Sequence, residues 1–142
     1  GTAGTRSSES VWHVAAIVPA KRDAERLFKG LPSESRAIAI DQTRNLALFP
    51  ERQPVVDGQL LDLDFERVKG EVFYRLRIDD ASFGERSLRV FFYPQPDNKG
   101  REKSKRARTI WIIGVAWRKD AYKQHMSVRC RRRVQEIVQQ GR

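Results

Sequence analysis

The sequence predicts one α+β domain: a small, mostly antiparallel sheet with a helical hairpin near its N-terminal end and a single helix after its last strand. Three observations predict it. Apolar residues recur at helical spacing early in the chain and again near its end, while between those stretches the period shortens to two. Prolines and glycines fall where one pattern gives way to the next. A length of 142 residues allows one core of ordinary size and not two.

The elements follow in order. Residues 1–10, GTAGTRSSES, are small and polar and are expected to form a flexible tail, which leaves residues 11–142 as the domain. Residues 11–18, VWHVAAIV, are rich in β-branched side chains and stop at Pro19, which suits a first strand. Pro19 can open a helix, because the first helical position needs no amide proton. Ala20, Ala24, Leu27, Phe28 and Leu31 then repeat at helical spacing up to a stop near Gly30. Ser33 is a good N-cap for a second helix, which should run to about Leu48 before Pro50 ends it. Residues 60–65 read equally well as strand or loop. Residues 72–78, VFYRLRI, place Arg75 and Arg77 on one strand face with Phe73. Residues 88–93, LRVFFY, and 109–117, TIWIIGVAW, are two further strands, the second apolar enough to be central. The proline- and charge-rich stretch between them reads as an extended hairpin tip. Met126, Cys130, Val134, Ile137 and Val138 mark one stripe of a final helix over residues 121–140, opposite an arginine-laden face.

Charge is strongly localised. Residues 99–133 hold thirteen Lys and Arg against Glu102 and Asp120, a local +11 in a chain of net +10. A surface of that kind suits a polyanion, since each cation that neutralises a phosphate releases condensed counterions. The longest apolar stretch, residues 110–117, is far short of a membrane helix, and no charged-then-apolar signal segment opens the sequence. A soluble, cytoplasmic protein without membrane contact is therefore expected. One cysteine, Cys130, excludes an internal disulfide, and it reads as a core residue on the helical stripe. With only two histidines beside it there is no usual four-ligand zinc set, so neither metal nor cofactor is expected.

Four stretches also carry a likeness: a leading strand before PAKRDAERLFKGLP, then VKGEVFYRLRIDD, RSLRVFFY and WRKDAY. In that order, over about residues 11–125, they resemble the RelE/ParE superfamily of toxins from type II toxin–antitoxin pairs, with a β-α-α-β-β-β-α fold. Two departures stand out. Trp117 occupies the place where many relatives have histidine, and the basic hairpin is longer than the compact family pattern, closer to the longer phage-type and HigB-like members. In its RelE/HigB-like ribonuclease branch the resemblance implies metal-free cleavage of mRNA in the ribosomal A site, by attack of a ribose 2′-OH on the adjacent phosphate. It also implies a cognate antitoxin covering the basic face. A ParE-like branch would instead bind DNA gyrase and cleave nothing, and a third reading is a non-enzymatic RNA- or ribosome-binding module.

Cleavage of this type needs cations aimed at a phosphate that gains charge, and groups that move protons. Arg89 matches the family's core arginine and interrupts an apolar strand; the alternative is that it faces solvent. Arg118 and Lys119 follow the last strand directly, where a rigid scaffold can present them. Tyr122 and His125 would share a helical face at i and i+3. These five are the candidate catalytic residues. Arg75, Arg77, Arg108, Arg129 and Arg132, with Lys103, Lys105 and Arg106 of the hairpin, are the candidate phosphate contacts. Tyr93, beside the hairpin, is the candidate for stacking on a base.

Overall fold

The computed structural model describes residues 12–49, 55–56, 59–60, 63–96 and 108–140. The expected tail at residues 1–10 and the hairpin cations Lys103, Lys105 and Arg106 lie outside them. The chain opens with β1 (His13–Ala16), shorter than expected, because Ile17 and Val18 already turn into α1 (Val18–Phe28). Pro19 sits in its first turn, as its missing amide allows. Gly30, at φ 83°, makes the left-handed turn that follows. Then comes α2 (Ser33–Arg44), continued by one tighter turn over Asn45–Leu48. Ser33 is not its cap: Pro32 occupies that position and Ser33 is already helical, without a capping hydrogen bond. The buried Ser35 instead donates from Oγ to the carbonyl of Ser82 at 3.1 Å, fastening α2 to the short helical turn Ala81–Phe83.

β2 (Val55–Val56) and β3 (Gln59–Leu60) form a small antiparallel ladder of their own. The main sheet continues with β4 (Phe65–Arg67), β5 (Tyr74–Ile78), β6 (Leu88–Gln95) and β7 (Thr109–Trp117), in the order β1-β7-β6-β5-β4. The last three pairings of that order are antiparallel, but β1 and β7 run parallel. The sheet is thus mixed: β1 and β7 lie side by side although most of the chain, helical hairpin included, separates them.

The expected last helix is two. One turn, α3 (Arg118–Ala121), is followed by Tyr122 and an extended Lys123 before α4 (Gln124–Gln139) begins. Among the described residues no helix is long and apolar enough to cross a membrane.

Strand register sorts the side chains onto two faces. Leu88, Val90, Val115 and Trp117 face the helical hairpin, where Phe28, Phe83 and Trp117 meet with ring centroids 5.6–6.0 Å apart. Arg89 opposite Ala116, and Phe91 opposite Gly114, share the other face, which α4 covers in part. Four of the five stripe residues, Met126, Cys130, Val134 and Ile137, are buried there, whereas Val138 is 54% exposed. Gly114 lets α4 approach: a Cβ on it would lie 2.8 Å from Met126 Cε and 3.2 Å from Cys130 Sγ.

Candidate anion-binding cleft

The β5–β6 pairing sets Arg77 directly across from Arg89, and Arg75 across from Phe91. All three arginines therefore emerge on the α4 face. α4 shields the Phe91 end, and the rest opens into a cleft of about 480 Å³ lined by Asp64, Phe65, Glu66, Arg75, Arg77, Arg89, Arg118 and Tyr122. Arg118 and Tyr122 come from α3 and its end, so two distant stretches of sequence supply the four guanidiniums.

The four differ in what holds them. Arg89 is 6% exposed, yet its hydrogen bonds run to neutral oxygens: Nε to Tyr122 Oη at 3.1 Å, and Nη1 to Ser87 Oγ at 2.6 Å and the Leu88 carbonyl at 3.2 Å. Arg75 stacks over the Tyr122 ring at 4.2 Å and donates to Glu66 at 2.9 Å, leaving its buried Nε without a partner. Arg77 is paired with Asp79 at 2.8 Å and lies 3.9 Å from Asp64. Arg118 is exposed, and its side chain has no hydrogen bond or ion pair among the described residues. Burial by itself would raise the Asp79 carboxyl, but hydrogen bonds from Ser87 and Arg77 prevail and hold it below the usual carboxylate range.

This geometry suits an anion. A buried guanidinium that meets the Asp79 carboxylate only through Ser87, and an orphaned Nε–H, both leave room for a further negative charge. Tyr122 Oη accepts from Arg89, so its own hydrogen remains to be donated into the cleft.

Several expected site residues lie elsewhere. Lys119 and His125 are exposed and do not line the cleft; for His125 the break at Tyr122 and Lys123 keeps it from sharing a helical face with Tyr122. Tyr93 is half-buried four residues along β6 from Arg89, and burial raises its phenol. Arg108 packs its guanidinium over Trp12 at 4.7 Å. Arg129, half-buried, and Arg132, exposed, belong to α4. Two other α4 arginines are structural: Arg131 clasps the buried Glu71, and Arg133 bridges Asp23 at 2.7 Å and the Ile113 carbonyl at 2.8 Å. The Cys130 thiol is buried and pushed up to about 12, as a core residue's would be.

The chain matches no family model, no curated protein and no solved structure. The cleft itself must carry the functional reading.

Reasoning from the sequence missed Ser87, Asp79, Asp64 and Glu66. A signal for the first two existed: once Arg77 is set across from Arg89, residues 79 and 87 fall opposite each other one step beyond the last strand pair, Ile78 and Leu88. Among the described residues no three His, Cys, Asp or Glu side chains cluster as metal ligands would.

Proposed function

We propose that the cleft seats an RNA phosphodiester, and that the chain is a type II toxin cutting mRNA on the ribosome without a metal. The observation that carries this reading is the phenol of Tyr122 set between two guanidiniums, Arg75 stacked at 4.2 Å and Arg89 bonded at 3.1 Å, inside a cleft of four arginines. The placement of WRKDAY supports it too, since Arg118 and Tyr122 of that stretch reach the same cleft as Arg75 of YRLRI.

In this reaction a ribose 2′-OH attacks the adjacent phosphorus, the bond to the 5′ oxygen breaks, and a 2′,3′-cyclic phosphate and a free 5′-OH result. Arg89 and Arg118 stabilise the extra negative charge, a contribution of about 3–4 kcal/mol for a well-placed donor. Tyr122 donates its hydroxyl proton to the departing 5′ oxygen. Arg75 fixes the ring, and the Glu66 carboxylate on the same wall accepts the 2′ proton. A cognate antitoxin would silence the protein by covering this basic face.

The test uses translating ribosomes carrying a defined mRNA, with EDTA added after translation stalls and cut positions read by primer extension. Cuts that survive chelation are expected. If the wild-type protein makes no cut and instead inhibits gyrase supercoiling, the ParE-like reading replaces this one.

A further inference from the structure

Ser87 and Asp79 border the cleft without lining it, at the two ends of the connection that joins β5 to β6. The Ser87 hydroxyl has one hydrogen, which it donates to Asp79 Oδ1. Its oxygen is thereby left to accept, and it accepts from Arg89 Nη1 at 2.6 Å. With one arm of the guanidinium held in this way, Nε reaches Tyr122 Oη at 3.1 Å. The Ser87 carbonyl meanwhile accepts from the Arg118 amide at 2.7 Å, which fixes the start of α3 and with it the residues leading to Tyr122. Asp79 is itself kept in place by Arg77 Nε at 2.8 Å.

We propose that Ser87 and Asp79 are positioning residues, and that this pair holds Arg89 in the orientation in which it meets Tyr122 and the phosphate. The carboxylate sets the direction of the serine hydroxyl, and the serine sets the guanidinium; the logic matches that of outer-shell partners that orient the ligands of a metal. A long flexible arginine beside an opening would otherwise sample several rotamers, and a misplaced donor loses most of its effect on a transition state. The activity part of this inference rests on the ribonuclease reading above, whereas the orientation of Arg89 does not.

The experiment therefore measures both in the full chain. The variants are Ser87→Ala, which removes the link, Ser87→Thr, which keeps the hydroxyl, and Asp79→Ala, which removes its anchor. The Arg89 Nε–H resonance, assigned by its loss in Arg89→Lys, should be sharp and slow to exchange in the wild type and in Ser87→Thr. In Ser87→Ala and Asp79→Ala it should broaden or exchange rapidly while the backbone amide spectrum stays folded. On stalled ribosomes the same two variants should lose about 10- to 100-fold in kcat with KM little changed, and Ser87→Thr should recover most of the loss. An Arg89 signal unaltered in Ser87→Ala overturns the proposal, and so does an altered signal with wild-type kcat. If the wild-type protein cuts nothing, the ribonuclease reading fails, and the resonance decides the positioning role alone. An Arg89 resonance as sharp and as slow to exchange in Ser87→Ala as in the wild type would then overturn it.

Discussion

Arg89 and Arg118 serve one cleft under opposite conditions. Arg89 is buried and tied to three oxygens, so Arg89→Ala should lower stability by about 1–3 kcal/mol besides abolishing function, because it leaves its partners unmet. Thermal melting of the variant measures that loss. His125 is exposed and outside the cleft, so His125→Ala should cut at a rate within about twofold of the wild type, although an imidazole is the usual proton carrier near neutrality. A pH prediction follows from Asp79. Its folded carboxyl lies below the ordinary range, so its contribution is complete above the unfolded value of about 4 and is lost as the pH falls through the lower folded value. The Arg89 resonance should accordingly persist as the pH is lowered to about 4 and change only below it. At this scale the sequence disclosed the arginines and Tyr122 but not the carboxylates and serine that hold them. Charged residues in a run look alike until register shows which are paired, as with Arg131 on Glu71 and Arg133 on Asp23.

Among the elements, β7 was legible to its last residue, since the eight apolar residues that follow Thr109, rich in Ile and Trp and closed by the charged Arg118, suit a central strand. The helical hairpin was equally legible from its spacing. The break between α3 and α4 was not, because no proline or glycine marks it: the extended backbone of Lys123 makes it, and four residues are too few to show a period. That break is what takes Tyr122 off the α4 face and leaves it beside Arg89. The packing of α4 has its own test in Gly114, where Met126 Cε is flexible but Cys130 Sγ is confined. Gly114→Val should cost about 1–3 kcal/mol through overpacking, and lower the melting temperature accordingly. Because α4 shields the Phe91 end of the cleft, the same variant should widen the cleft without removing a charge.

For the whole molecule, the parallel β1–β7 pairing brings the two ends of the chain's fold together, and a mostly antiparallel reading of separate strands did not foresee it. The excess of +11 over residues 99–133 remains the strongest global signal, but the arginines it contains are unequal. Arg131 and Arg133 are committed to carboxylates, so RNA affinity should depend on salt with a slope of about −0.7 for each phosphate contact made by the remaining cations. Arg132→Gln, on the exposed side of α4, should reduce that slope by about one contact, and a titration of RNA binding between low and moderate salt reads it. An affinity flat in salt would remove the polyanion reading altogether. The most direct test of the cleft as the place where RNA is cut is the cleavage rate of wild type and Arg118→Ala on the same stalled ribosomes. The Arg118 side chain has no hydrogen bond or ion pair among the described residues, and Arg118→Ala keeps the backbone bond to Ser87, so the change should leave the melting temperature unchanged while the rate falls about 100-fold. A folded Arg118→Ala protein that cuts at the wild-type rate would contradict the account.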